Sequence, residues 1–425
     1  MTQPIAGPVS GFSKSARRAD RAPERTYYEF FAGGGMVSTA LAGMGAWRCC
    51  FANDIDEKKA ETFRANHKDA PFRLCPVEDL TIKDLPPSWG TGGAVDLCWA
   101  SFPCQDLSLA GGGAGLSGPR SGTFWAFERL MARLVDDGRA PKTIVLENVA
   151  GAATRRGGRD LVLLAEAMCG LGYRVGAVLL DASHFTPQSR QRLFVVAINK
   201  SVCVPEALTV KKPFLDDVGA VFQKGGVITT EGSLINWKLP SFPNRNKNLE
   251  DIVEAQSDVR WASSEKTVRL LDLMDERHRK KIAEARRQSK ARGRPSVGTV
   301  FRRMRSSPDG GRVQRAEVRF DGLAGCLRTP AGGSSRQTIL SVEPDRIRSR
   351  LLTPREAARL MGLPEDYRLP AKTADAYRLL GDGVVAPVVD FLVRSLIEPV
   401  LDNAAGGLDP SFDALGRVAP SYDPR

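Results

Sequence analysis

A thiol at the end of an apolar run is the residue of this chain best suited to nucleophilic chemistry. The run Val95–Ala100 leads through Phe102 and Pro103 to Cys104, and Pro103 restricts the backbone just before the thiol. If the run is a strand of a parallel sheet, Cys104 lies in the crevice where such sheets bind ligands. A free cysteine is more often a small core residue, so a catalytic interpretation needs partner groups nearby.

Two further clusters could supply these partners. The apolar run Thr143–Glu147 ends in a carboxylate that would face the same crevice, and Glu147 is a candidate acid or base. Arg190 and Arg192 directly precede another apolar run, Leu193–Ile198. Arginines beside a strand are usually a solvated edge, but here they precede a buried strand of the same predicted sheet.

The surrounding elements alternate between short apolar runs and helical patterns, which predicts an α/β fold with a doubly wound parallel sheet. After Asn199 this rhythm ends, and helical patterning returns only in separate stretches. The predicted strands are Tyr27–Phe31, Trp47–Ala52, Val95–Ala100, Thr143–Glu147, Val175–Leu180 and Leu193–Ile198, and the predicted helices are Asp56–Asn66, Gly122–Val135, Asp160–Gly170, Lys266–Arg292, Thr353–Met361 and Val384–Ile397.

A glycine-rich turn follows the first predicted strand. In Glu29–Gly35 (EFFAGGG) the glycines allow a sharp turn and a close approach to a ligand, and Asp54 follows Gly33 by 21 residues. An acid at that distance is where doubly wound folds bind ribose hydroxyls. A nicotinamide nucleotide fits these residues equally well, although the turn lacks the full GxGxxG pattern of pyrophosphate sites.

Composition narrows the partners. The net charge is +12 with a pI near 9.4, and the window 255–316 alone holds 17 Lys and Arg against 7 Asp and Glu. Such an excess favours a polyanion. Three histidines and eight cysteines without a CxxC pair disfavour a metal site. With no signal-peptide pattern and no membrane-spanning apolar run, we expect a cytoplasmic, nucleoid-associated protein without a membrane partner.

The ordered motifs resemble the DNA (cytosine-5)-methyltransferase family, of the bacterial restriction-modification type. The likeness covers roughly Tyr28–Ile198 and Gly322–Ile397, with a variable middle. Its motifs are EFFAGGG, Asn53-Asp54, Glu78-Asp79-Leu80, Phe102-Pro103-Cys104-Gln105, Arg120–Thr123, Glu147-Asn148-Val149, Gln188–Arg192, Arg350–Gly362 and Gly381–Val385.

The resemblance implies methyl transfer from S-adenosyl-L-methionine to carbon-5 of a flipped cytosine, without a metal. Cys104 would add to carbon-6 while Glu147 hydrogen-bonds or protonates ring nitrogen 3, and Arg192, supported by Arg190, would hold the base. Phe31 would stack on adenine, Asp54 would bind the ribose and Asp79 the adenine amino group. The remaining implied cofactor contacts are Ala32, Gly33, Gly35, Ile55, Leu80, Phe102 and Val384.

The sequence departs from the family pattern at two positions. Met36 stands where the GxGG turn ends in glycine, and Asp382 replaces the asparagine of the GNxV motif. In the Gly322–Thr338 segment, Cys326 has no acidic or basic neighbour in sequence, and we interpret it as structural. Within the basic window, Arg302, Arg303 and Arg305 could read guanine edges, whereas most of Lys266–Arg292 is typical of a solvated helix.

The predicted organisation is a Rossmann-like catalytic domain with a smaller, basic target-recognition domain. We predict an N-terminal flexible segment (1–25), a catalytic domain (26–200), a recognition domain with a hinge (201–345), a segment completing the catalytic domain (346–400) and a tail (401–425). The expected partner is duplex DNA, bound by a monomer; a cognate restriction endonuclease is left open. The alternatives are a transfer RNA cytosine-5 methyltransferase and a catalytically inactive DNA-binding protein.

Overall fold

The computed structural model describes residues 25–88, 92–103, 122–211, 232–254, 259–306, 310–329 and 336–404. Cys104, Arg120 and Ser121 therefore lie outside the described residues, as does the stretch 405–425 of the predicted tail. None of the described helices is both long enough and apolar enough to span a membrane.

A seven-stranded sheet forms the centre of the molecule, with the strand order β3-β2-β1-β4-β5-β7-β6. All six strands predicted from the sequence are present, and a short third strand adds to the edge. The strands are β1 (Arg25–Phe30), β2 (Trp47–Asp54), β3 (Phe72–Leu74), β4 (Leu97–Ala100), β5 (Thr143–Val149), β6 (Tyr173–Asp181) and β7 (Gln191–Asn199).

The prediction that the sheet is parallel throughout is wrong for β7. Strands β1 to β5 pair in parallel, but β7 is antiparallel to both of its neighbours, β5 and β6. The physical reason is the link between β6 and β7, which is too short for the crossover that a parallel pair requires. The two strands instead form a hairpin, and β7 runs back into the gap beside β5.

Twelve helices are present in the described parts of the chain. They are α1 (Met36–Met44), α2 (Glu57–Asn66), α3 (Gly122–Asp136), α4 (Gly151–Thr154), α5 (Arg159–Gly170), α6 (Leu249–Ile252), α7 (Ser264–Asp272), α8 (Glu276–Arg292), α9 (Pro354–Leu360), α10 (Thr373–Asp382), α11 (Ala386–Leu392) and α12 (Glu398–Ala404), with a π-helical turn at Val393–Ile397. The predicted helix Lys266–Arg292 is two helices, because Asp275 accepts a hydrogen bond from His278 N and begins a new one.

Helices cover both faces of the large sheet, as a doubly wound fold requires. On one face, α3 and α5 bury Phe124, Phe127 and Leu164 against the strands. On the other face, α1 packs with α9 to α12, so that residues more than 300 positions apart share one apolar core. Helix α12 continues to Ala404 and thus includes the first four residues of the stretch predicted as a tail.

A second, antiparallel sheet has the order β11-β10-β8-β9. It consists of β8 (Ser296–Ser306), β9 (Arg312–Arg319), β10 (Thr338–Val342) and β11 (Ile347–Leu351). Its outer face packs under α7 and α8 in a separate apolar cluster that includes Ile282, Val300 and Leu340. Its inner face, which carries Val297 and Ile339, packs on the core of the large sheet.

A buried ion pair lies where the two sheets meet. Arg350 of β11 donates from Nη1 and Nη2 to the two carboxylate oxygens of Glu356 on α9, at 2.8 and 2.5 Å. Both side chains are buried, so each charge is stabilised by the other. The Glu356 carboxylate also accepts hydrogen bonds from Thr353 N and Glu254 N. The pair joins the second sheet to the helices that cover the first.

Candidate active site

The loops that carry the predicted chemistry leave the large sheet at one edge. Phe30 at the end of β1 is paired with Asn53 of β2 and Ala100 of β4, and Ala100 is paired with Leu146 of β5. Because these strands are parallel, their carboxyl ends meet at that edge. Strand β7 runs in the opposite direction, and its beginning lies at the same edge, with Arg192 opposite Val149.

This edge brings together two of the predicted catalytic residues. Arg192 Nε lies 3.2 Å from Glu147 Oε1, and the two side chains are 16% and 7% exposed. Arg192 Nη1 also donates to the carbonyl of Gln191. A carboxylate and a guanidinium that are fixed in this way can hold a polar ring edge in a known orientation.

Phe102, two residues before Cys104, is positioned by the same edge. Asn148 Nδ2 donates to the carbonyl of Phe102 at 3.2 Å, and the Phe102 ring is buried against Phe124. The predicted cofactor residue Phe102 is therefore in the core, and the described chain reaches Pro103 beside Glu147's strand.

Arg190 is almost fully buried and is bound by main-chain oxygens. Its guanidinium donates to the carbonyls of Leu327 (2.9 Å), Gly381 (3.0 Å) and Gly383 (2.6 Å), and Nη1 lies 3.4 Å from Cys326 Sγ. Burial lowers its pKa from the ordinary value, and the neighbouring Arg192 charge adds to this effect. Cys326, without a charged neighbour in sequence, has one in the fold, and the arginines lower the pKa of its thiol against the effect of burial.

The glycine-rich turn has the backbone geometry of a binding loop. Phe31 has a φ of 55°, which lies in the left-handed region that non-glycine residues rarely adopt. Gly33 and Gly35 also have positive φ. Asp54 at the end of β2 accepts hydrogen bonds from Gly33 N and Asp56 N, both at 2.8 Å. The carboxylate thus ties the turn after β1 to the end of β2.

The surface beside Asp54 fits a nucleoside. Ile55 is 68% exposed, which is unusual for a large apolar side chain, and half-buried Phe31 stands on the neighbouring strand end. Apolar surface beside a carboxylate suits a base and its ribose hydroxyls. Among the other predicted contacts, Asp79 is exposed in a short 3₁₀ turn, whereas Ala32, Leu80 and Val384 are buried.

Comparison with known proteins decides the family, because the family model described as "C-5 cytosine-specific DNA methylase" matches residues 26–398. The chain belongs to the C-5 cytosine-specific DNA methylases. It is a DNA (cytosine-5)-methyltransferase, as the sequence motifs predicted.

Relatives agree with this assignment, and a solved structure shows a similar fold. The chain is 25% identical to Type II methyltransferase M.HpaII of Haemophilus parainfluenzae, over 88% of this chain and 89% of the relative. It is 26% identical to M.HgiCI of Herpetosiphon aurantiacus, over 88% and 97%. In fold it is similar to the Dnmt2 methyltransferase of S. pombe, with a TM-score of 0.53, 18% identity and coverage of 88% and 99%.

The two departures of this methylase from the family pattern lie close together, because Met36 contacts Gly383, the residue that follows Asp382. A Cβ atom on Gly383 would overlap the Met36 side chain, so the methionine occupies space that this glycine leaves free. Asp382 binds Lys59 Nζ at 2.8 Å and Thr329 Oγ1 at 2.5 Å. The acid that replaces asparagine therefore has a basic partner on α2, and it raises the pKa of that lysine.

Sequence reasoning missed several residues that support the glycine-rich turn of the methylase. Glu29 accepts hydrogen bonds from the backbone N and the hydroxyl of Ser38, and thereby caps α1 from inside the sheet. Burial raises the pKa of Glu29 to about 8. Tyr367 donates to the carbonyl of Gly34 at 2.7 Å. A charged residue inside an apolar strand was a usable signal for Glu29, but nothing in the sequence marked Tyr367.

Proposed function

We propose that this methylase transfers a methyl group from S-adenosyl-L-methionine to carbon-5 of cytosine in a specific duplex DNA sequence, through a covalent Cys104–cytosine adduct. The family supports methylation of cytosine in DNA. The observation that carries the finer proposal is the Glu147–Arg192 contact at 3.2 Å, at the edge to which Asn148 binds the Phe102–Pro103 segment.

In the proposed reaction, the Cys104 thiolate forms a bond to carbon-6 while Glu147 gives a proton to ring nitrogen 3. The negative charge that would otherwise develop on the ring is thereby removed, and carbon-5 becomes nucleophilic. S-adenosyl-L-methionine, when bound, supplies an electrophilic methyl group. After methyl transfer, which leaves S-adenosylhomocysteine, a base removes the proton from carbon-5, the bond between Cys104 and carbon-6 breaks, and Cys104 leaves as a thiolate. The proton on ring nitrogen 3 returns to Glu147.

We assign different tasks to the two arginines. Arg192 contacts Glu147 and is partly exposed, so we propose that it holds the base edge beside that carboxyl group. Arg190 is buried on three carbonyls and acts as a positioning residue for the Leu327 and Gly381–Gly383 segments. A base stacked inside a duplex cannot reach this buried edge, so the target cytosine has to flip out.

We also propose that the chain has the domain organisation predicted from the sequence. Residues 26–200 carry the catalytic edge, and residues 346–400 complete it by covering one face of the large sheet. We propose that the second sheet, with α7 and α8, is the basic target-recognition domain. Its strand β11 extends to Leu351, a few residues beyond the predicted boundary at 345.

The direct test is to incubate the pure protein with S-adenosyl-L-methionine and unmethylated genomic DNA, then digest the DNA and measure 5-methylcytosine by mass spectrometry. We expect 5-methylcytosine in DNA and none in transfer RNA treated in parallel. 5-Methylcytosine in transfer RNA alone would show that the protein methylates RNA and not DNA. Retention of DNA with no methylated base would indicate an inactive DNA-binding protein.

The Cys104→Ser variant tests the proposed chemistry. We expect it to lose methylation and to keep cofactor binding, measured by calorimetry with S-adenosylhomocysteine, because the thiolate acts only on the base. Arg192→Lys keeps the charge but removes the planar fork, and we expect kcat to fall about a hundredfold. Loss of cofactor binding in Cys104→Ser would make Cys104 structural and overturn its assigned role.

The relatives carry Type II methyltransferase names, and we extend that setting to this chain. The methylated sequence would then be one that a cognate restriction endonuclease cuts. Plasmid DNA from cells that express the methylase should resist cleavage by one such endonuclease and should still be cleaved by others. We further propose a monomer, which light scattering during gel filtration can check.

A further inference from the structure

Beyond Val300, where the pairing of β8 with β10 ends, β8 and β9 continue as a two-stranded ribbon whose two faces carry arginines with different surroundings. Side chains alternate between faces along a strand, and cross-strand partners share a face. Val300 lies in the outer cluster under α8, so Arg302, two residues on and opposite buried Ala316, stands on the outer face. Phe301, Arg303 and Arg305 stand on the inner face.

Contacts connect that inner face to the catalytic edge. Gly325 lies directly against the Phe301 ring, where a Cβ atom would overlap it. The next residue, Cys326, contacts Arg190, which is two positions from Arg192 on the chain. Arg303 in turn holds its guanidinium over the Phe301 ring, 5.6 Å from the ring centroid. The inner face of the ribbon is thus connected to Arg190 through the Gly325–Cys326 segment.

On the inner face, which also carries Arg315 opposite Arg303, Arg303 and Arg305 are oriented but not neutralised. Arg305 Nη2 lies 2.5 Å and Arg303 Nε 3.7 Å from the carboxylate of Glu317, so two cations share one acid. Their side chains are 51% and 52% exposed, against 21% for Glu317. A guanidinium held in a fixed orientation and open to solvent loses little conformational entropy when it binds a planar partner.

From this arrangement we infer that Arg303 and Arg305 read base edges of the target sequence in the major groove, while Arg302 takes no part in reading it. The inference rests on the proposed function, because it places the DNA at the catalytic edge. A two-stranded ribbon fits the major groove, and an arginine fork pairs with O6 and N7 of guanine. Residues two apart on a strand are separated by about 6.7 Å, or roughly two base-pair steps.

The test compares Arg303→Lys, Arg305→Lys and Arg302→Lys on a library of duplexes with randomised flanks, with methylated cytosines located by bisulfite sequencing. Lysine keeps a charge for phosphate contacts and removes the fork. We expect Arg303→Lys and Arg305→Lys each to relax the preference at one guanine position about ten- to hundredfold. Arg302→Lys, the matched control on the opposite face, should leave the preferred sequence unchanged.

The same variants are also assayed for sequence selection in binding alone, by repeated gel-shift enrichment of the library without cofactor. This separates the two proposals, since a wild type that selects a sequence but does not methylate it contradicts only the catalytic one. Unchanged preferences in both inner-face variants would overturn the inference. So would an equal relaxation in Arg302→Lys, because the faces of the ribbon would then not matter.

Discussion

Arginine has opposite roles at the proposed catalytic edge of the large sheet and on the β8–β9 ribbon. At the edge, Arg190 is buried and its guanidinium binds main-chain carbonyls, which fixes the loops around it. On the ribbon, Arg302 and Arg303 are exposed. The difference shows that a basic residue's task follows from its burial, which residue type and local sequence do not reveal.

The largest effect should come from the buried cation. Arg190→Met keeps most of the side-chain volume but leaves the carbonyls of Leu327, Gly381 and Gly383 without their donor. We expect the free energy of unfolding to fall by at least about 3 kcal/mol, measured by urea denaturation. Arg303→Met is the matched control. An equal unfolding midpoint for the two variants would contradict the assignment of Arg190 as a positioning residue.

Glu29, the buried acid of the same edge, should make stability depend on pH. Its pKa is raised from an ordinary 4.5 to about 8, so the folded protein holds a proton that the unfolded chain releases. Stability from this group is complete below about pH 4.5 and is lost as the pH rises through 8. The wild type should therefore lose about 2 kcal/mol of its free energy of unfolding between pH 6 and 8. Glu29→Gln mimics the protonated form and should not show this loss.

Thermal unfolding of both proteins across that pH range measures the difference. The ribbon offers the contrast, because Glu317 is an acid whose pKa is lowered by its hydrogen bond to Arg305. Glu317→Gln should therefore leave the pH 6 to 8 slope as in the wild type. A slope that persists in Glu29→Gln would show that another group causes it.

The Lys59–Asp382 pair is intermediate, because it is only partly buried. Asp382→Asn restores the usual family residue but removes the charge that Lys59 binds. We expect a loss of about 0.5–1 kcal/mol of stability and a severalfold weaker binding of S-adenosylhomocysteine. A double-mutant cycle with Lys59→Met should give a coupling energy of similar size. Additive effects would show that the pair does not act as a unit.

The smallest effect on stability should come from the ribbon itself. Arg302→Ala and Arg303→Ala each remove an exposed side chain, so we expect changes in the free energy of unfolding within about 0.5 kcal/mol. Denaturation beside the wild type checks this. A large loss in Arg303→Ala would mean that its contacts with Phe301 and Glu317 hold the ribbon together, and the comparison between the two regions would weaken.

The sequence by itself determined the strands, the glycine turn and the family, since periodicity, glycines and motif spacing are local properties. Every predicted strand of the large sheet is present, and the predicted catalytic residues Glu147 and Arg192 are in contact. Local pattern also separated the basic middle of the chain from the rest. The role of Cys104 stays a prediction, because that residue lies outside the described chain.

Only the tertiary structure decided the direction of β7, and this direction brings Arg192 into contact with Glu147. If β7 were parallel to β5, Arg190 and Arg192 would lie at the edge of the sheet opposite to Glu147. The short hairpin link turns the strand round, and no apolar pattern records strand direction. Likewise, Cys326 meets Arg190 and Asp382 meets Lys59 across more than a hundred residues, because such contacts depend on how distant segments pack together.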